Sequence, residues 1–312
     1  MPRTGIALIL AGALALGACG DDERNRGGSA QPQGANLRIT LGTQDFPEAR
    51  LLGELWRRAL AVNGYTVNLR KRIGPAEDLD RALRDGDIDG HVAYTGTVLS
   101  IVAGEDVSGL DPEETFDQVK AFYATRGMAT SAMTPFQDVD AIATTDVFAQ
   151  EHKLESIQDL RELDEFTLGA RPEFESLYLG LEGLEQVYGL TNATFEGVTL
   201  GAQYTALDEG DVDAANVFTT DPQLETGDYK VLEDPESLFG SQNAVMVVDA
   251  DKLETVGQEQ FLRVVDAVNR RLTTDVIVGL NKAVTDGEDD GEVARAFLRE
   301  EGLLEPLESD SR

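Results

Sequence analysis

Ala82-Leu83-Arg84-Asp85-Gly86-Asp87-Ile88-Asp89, followed by Tyr94-Thr95, recurs 124 residues later as Ala206-Leu207-Asp208-Glu209-Gly210-Asp211-Val212-Asp213, followed by Phe218-Thr219. Each copy reads as a helix stopped at glycine, an acidic turn, and a short strand ending at an aromatic beside threonine. A second echo pairs Thr40-Leu41-Gly42 with Thr167-Leu168-Gly169 and Leu52-Gly53 with Leu179-Gly180, both at an offset of 127. One helix-to-strand turn could recur by chance; two separated blocks at nearly one offset predict two similarly built lobes.

Outside these blocks strand and helix patterns alternate. Leu37 to Leu41 alternates, Phe46 to Val62 carries a helical stripe at Leu51, Leu52, Leu55, Trp56 and Leu60, and Tyr65 to Leu69 alternates again. The series predicts an α/β fold in which each lobe is a mixed sheet flanked by helices. Gln260 to Leu272, Thr274 to Val284 and Glu292 to Leu298 have helical periodicity. The chain is therefore expected to build lobe 1 from residues 37–140 and 244–312 and lobe 2 from 141–243, with two crossings forming a hinge. Ligands of α/β folds sit beyond the carboxyl ends of strands. Tyr94, Thr95 and Thr97 of one lobe would then face Phe218, Thr219 and Thr220 of the other across a cleft.

Of the 312 residues, 26 are Lys or Arg and 58 are Asp or Glu, a net charge of −32, which excludes a nucleic-acid binder needing a basic footprint. Only six of the basic residues are Lys. An acidic, Lys-poor surface suits either a salty habitat or an ordinary acidic secreted protein. Residues 1–19 read as an export signal: Arg3, an apolar run from Ile6 to Leu16 too short to span a bilayer, then Gly17-Ala18 and the single Cys19. A Cys placed there resembles the acylation site of a bacterial lipoprotein. Residues 20–36 are polar and small, a tether that cannot bury enough surface to order itself.

Chemistry for catalysis is sparse. Asp85, Asp87 and Asp89 with Gly90 imitate the opening of a calcium loop, but its twelfth position is Gly96 rather than glutamate. His91 and His152 have no partner at metal spacing, and no phosphate loop or nucleophile elbow occurs. No cofactor, metal or catalytic residue is expected, although a carboxylate-based hydrolase stays open.

Together these segments resemble the substrate-binding proteins of osmoprotectant ABC importers, which take up glycine betaine, choline, carnitine and similar quaternary amines. The likeness runs from Leu37 to about Leu304. It rests on Gly42-Thr43-Gln44-Asp45-Phe46, Gly86-Asp87-Ile88-Asp89 leading to Tyr94-Thr95-Gly96-Thr97, Pro172-Glu173-Phe174, Gly180 to Gly183, Thr219-Thr220-Asp221 and Leu280-Asn281. The resemblance implies a two-lobe periplasmic-binding fold and a trimethylammonium group boxed by aromatic rings, each worth roughly 0.5 to 2 kcal/mol.

Carried over residue by residue, the box is incomplete. Tyr94 and Phe218 keep rings, Asp140 and Gln242 stand where rings belong, and Leu177 stands where an Arg would grip a carboxylate. The expected ligand contacts are thus Tyr94 and Phe218 as ring faces, Gln44 and Thr97 as polar contacts, Asp140 as charge partner and Gln242 as neutral donor or acceptor. Arg171 restores a clamp if it reaches inward. The implied partners are a small cationic or zwitterionic osmolyte and a membrane permease, the receptor itself being monomeric, lipid-anchored through Cys19 and extracytoplasmic. A different cationic solute or amino acid stays open.

Overall fold

A computed structural model describes residues 37–107 and 109–307. The export signal, Cys19 and the tether fall outside the described residues. Ten strands occur among them: β1 (Arg38–Gly42), β2 (Thr66–Arg70), β3 (Gly90–Tyr94), β4 (Met128–Thr130), β5 (Asp140–Thr145), β6 (Phe166–Ala170), β7 (Ala193–Gly197), β8 (Ala214–Phe218), β9 (Tyr229–Val231) and β10 (Ala244–Asp249). They form two five-stranded sheets, in the orders β2-β1-β3-β10-β4 and β7-β6-β8-β5-β9.

The two sheets share one plan. In the first, β1 runs parallel to β2 and β3, while β10 is antiparallel to β3 and β4. In the second, β6 runs parallel to β7 and β8, while β5 is antiparallel to β8 and β9. The repeated block explains itself here. Asp89 Oδ2 accepts the backbone N–H of Thr40 at 2.6 Å, and Asp213 Oδ2 accepts that of Thr167 at 2.7 Å. The last carboxylate of each acidic turn thus caps the neighbouring strand, satisfying a backbone donor that the ladder leaves unpaired. Gly86 and Gly210 take φ of 76° and 74°, the left-handed conformation that ends a helix cheaply only at glycine. Asp85 and Asp87 are solvent-exposed in this turn.

Helices cover both sheets, the α/β architecture of a mixed sheet with crossover connections. The helix Pro47–Val62 buries Leu51, Leu52, Leu55 and Trp56 against the first sheet and the helices Gln258–Asn269 and Asp290–Glu300. Trp56 is a core residue, its Nε1 donating to Asn269 Oδ1 at 2.8 Å. Phe116 and Phe122 pack half-buried on the other face of that sheet. No helix among the described residues is long and apolar enough to cross a membrane.

The chain passes from the first sheet to the second between Thr130 and Asp140 and returns between Val231 and Ala244. The two passages run side by side: Gln137 bridges Asn243, Asp138 N donates to Gln242 O at 3.0 Å, and Gln242 N donates to the Gln137 side chain at 3.2 Å.

Candidate solute-binding cavity

The segments that follow β1, β7 and β8 converge beyond the carboxyl ends of those strands and enclose a cavity of about 510 Å³. The first lobe supplies Asp45 to Glu48 and, from the helix Thr274–Thr285, Asn281, Val284 and Thr285. The second supplies Thr199 to Gly201, Gln203, Tyr204, Phe218 and Thr220 to Gln223, and Asp138 enters from the first passage between sheets.

Four carboxylates line this space, those of Asp45, Glu48, Asp138 and Asp221, and no Lys, Arg or His does. Glu48, 3% exposed, lies in the first turn of its helix behind Pro47. It accepts hydrogen bonds from the Tyr94 hydroxyl at 2.9 Å and Asn281 Nδ2 at 2.8 Å. Asp138, 8% exposed, accepts the Thr220 hydroxyl at 2.7 Å. Asp221 accepts the backbone N–H of Phe218 at 3.0 Å and the Tyr204 hydroxyl at 2.8 Å.

Burial dominates the electrostatics. It raises the Glu48 carboxyl despite hydrogen bonds from Asn281, Thr220 and Tyr94, with Asp221 adding repulsion. Burial, then repulsion from Glu48, pushes Asp138 well above the usual carboxylate range. Asp221 is raised by burial against the pull of its donors. Burial, then the charges of Glu48 and Asp138, pushes the Tyr94 phenol well above its usual range.

Of the six expected ligand contacts, Phe218 lines the cavity and the other five do not. Tyr94 ends β3 as expected, but its ring is 5% exposed beneath Phe46, ring centroids 5.7 Å apart, because its hydroxyl is drawn to Glu48. Thr97 donates its backbone N–H to Gln242 Oε1 at 3.0 Å, so these two polar groups satisfy each other. Gln44 is half-buried in the loop after β1. Gly96, between them in the Tyr-Thr-Gly-Thr block, cannot carry a side chain: a Cβ would stand 2.6 Å from the Ser241 carbonyl. That block therefore docks the end of β3 on the returning passage, where Thr95 N donates to Asn243 O at 3.0 Å.

Asp140 differs most from its expected role as charge partner. Arg171 does reach inward from the end of β6, and Asp140 takes it: Nη1 lies 2.7 Å from Asp140 Oδ1 and 2.6 Å from Asn216 Oδ1. The guanidinium sits 5.4 Å from the Phe174 ring and 5.5 Å from the Phe218 ring. Neither charge is left over for a solute. Leu177 lies away from the cavity lining.

Residues 38–300 match the family described as the substrate binding domain of ABC-type glycine betaine transport systems. The chain belongs to this family. Family and fold are those of solute-binding proteins, not enzymes. The chain is 24% identical over 310 residues to the carnitine transport binding protein OpuCC of Listeria monocytogenes, covering 96% of each. It is 23% identical over 279 residues to the ergothioneine transport permease/ergothioneine binding protein EgtU of Helicobacter pylori, covering 85% of this chain and 48% of that one, about half its length. Among solved structures, a glycine betaine/carnitine/choline ABC transporter protein aligns with a TM-score of 0.72 at 22% identity, covering 86% of this chain and all of the other.

Glu48, Asp138, Asp221 and Asn281 carry no expected role in the sequence, yet each left a trace there. Asp221 and Asn281 fall inside the motifs Thr219-Thr220-Asp221 and Leu280-Asn281, and Asp138 sits two residues before Asp140. Glu48 directly follows Pro47 and reads as an ordinary acidic helix start.

Proposed function

We propose that this protein is the extracytoplasmic solute receptor of an ABC importer and that it captures a small organic cation in the cavity between its lobes. The observation that carries this is the lining: four carboxylates, no basic side chain, and a nearby Arg171 already consumed by Asp140. A zwitterion such as glycine betaine would bring its own carboxylate against this wall with no cation to receive it, whereas a choline-like or other amine brings only the missing charge.

On the same reading residues 1–19 are the lipoprotein signal, Cys19 is the acylated anchor and 20–36 the leash. Lobe 1 (37–140 and 244–312) and lobe 2 (141–243) close about the two passages near Gln137 and Asn243. The loaded receptor, a monomer, hands its solute to a membrane permease. A thermal-shift screen of choline, other amines and zwitterionic betaines tests this, since a solute that binds only the folded state raises its melting temperature. Stabilisation by cations and not by zwitterions is expected; stabilisation by zwitterions alone overturns the assignment.

A further inference from the structure

Resting on the receptor reading above, we propose that Phe46, and not Tyr94, is the ring that the first lobe sets against a quaternary ammonium solute, with Tyr94 acting through it as a positioning residue. Such a head group donates no hydrogen bond, so what distinguishes it from an uncharged solute of the same shape is ring faces and nearby carboxylates. Three rings line the cavity, those of Phe46, Tyr204 and Phe218. Tyr204 is 6% exposed, its hydroxyl bonded to Asp221 at 2.8 Å and its ring packed on Tyr229 with centroids 4.9 Å apart. Phe218 is half-buried, but the Arg171 guanidinium already lies 5.5 Å from its ring. Phe46 is half-buried too, and among the described residues no basic side chain lies over it.

The local sequence makes Phe46 a fixed surface. Pro47 restricts the residue before it to extended backbone, and Phe46 stands at φ −130° and ψ 159° as the N-cap of the helix Pro47–Val62. Its carbonyl accepts the Arg50 N–H at 3.2 Å. Beneath it lies the Tyr94 ring, 5.7 Å away and tilted by 35°, while the Tyr94 hydroxyl donates to Glu48 at 2.9 Å. Tyr94 therefore grips both ends of Phe46-Pro47-Glu48. One face of Phe46 is taken by Tyr94, and the other is left to the cavity that the residue lines. A ring held by its backbone and by a neighbour has little freedom left to lose when a solute arrives. Asp45 and Glu48 flank it on the same wall, so ring and carboxylates attract one cation together.

The test is calorimetric titration of the full-length protein with two pairs of solutes that differ only in carrying nitrogen or carbon at the branched centre. Choline is paired with 3,3-dimethylbutan-1-ol, and glycine betaine with 3,3-dimethylbutanoate. Phe46→Leu keeps apolar bulk and removes the ring, so the preference for the bound amine over its carbon analogue should fall about fivefold or more. Phe46→Trp, with a larger ring, should keep that preference. Tyr94→Ala, which removes the support, should lower it, and Tyr94→Phe should restore it. An unchanged preference in Phe46→Leu, or equal losses in the leucine and tryptophan variants, overturns the assignment of Phe46 and leaves the receptor in place. A preference lost in both Tyr94 variants and kept in Phe46→Leu returns the contact to Tyr94. Silence of both amines with the unaltered protein overturns the receptor reading, and Phe46 with it.

Discussion

Arg171 and Asp140 form a closed pair beside the second sheet, Nη1 to Oδ1 at 2.7 Å and Nη2 to Oδ2 at 3.4 Å, with Asn216 bonded to both partners. A two-pronged guanidinium–carboxylate contact is among the stronger ones a protein makes, and it neutralises a guanidinium 5.5 Å from the Phe218 ring of the cavity wall. Breaking the pair from either side has opposite consequences.

Asp140→Asn releases the guanidinium beside Phe218 and should give the receptor a carboxylate clamp. Affinity for glycine betaine, measured by calorimetry, is expected to rise at least tenfold, about 1.4 kcal/mol. No gain would mean that Arg171 stays turned away from the solute.

Arg171→Leu leaves Asp140, mostly buried, without its cation. Removing one partner of a buried pair costs about 3 kcal/mol, which denaturant unfolding should register as a lowered midpoint at unchanged slope.

The three buried carboxyls predict a particular dependence on pH. Glu48, Asp138 and Asp221 are each raised by burial, with repulsion from one another and from Asp140 added. A carboxyl raised on folding favours the folded state fully below its unfolded value, about pH 4, and that advantage is lost as pH climbs through the folded value. On account of these groups the solute-free protein weakens as pH rises toward neutrality, and a bound cation restores what is lost. Cation binding in the range where these groups titrate should therefore release protons, visible as a binding enthalpy that varies with the ionisation enthalpy of the buffer, and affinity should fall as pH is lowered toward the unfolded value. A binding enthalpy identical in all buffers would contradict the arrangement.

Asp138→Asn removes one of the mutually repelling charges while keeping an acceptor for Thr220. The solute-free variant should melt roughly 2 °C higher at pH 8 yet bind cations at least tenfold more weakly. A variant that gains stability and keeps its affinity would take Asp138 out of the site.

Asp89→Ala and Asp213→Ala each remove the acceptor that caps a neighbouring strand, one per lobe. Each should cost about 1–2 kcal/mol in denaturant unfolding. A pronounced difference between them would mean that the two turns, alike in geometry, are not alike in energetics.

What could be read along the chain was whatever repeats or caps locally. The block ending in Asp89 and its echo ending in Asp213 announced two sheets on one plan because the motif itself recurs, although the bonds its last carboxylates make, to Thr40 and Thr167, span 49 and 46 residues. The helices after Gln258 and Thr274 announced themselves by periodicity. The site did not, because its chemistry depends on which groups find each other across the fold. Asp140 read as a free charge until Arg171, 31 residues later, proved to lie against it. Glu48 carried no expected role until Tyr94, Asn281, Asp138 and Asp221 gathered around it. Burial and opposing charge are properties of neighbourhoods, and only the packed chain decides which carboxylates meet a guanidinium and which are buried against one another.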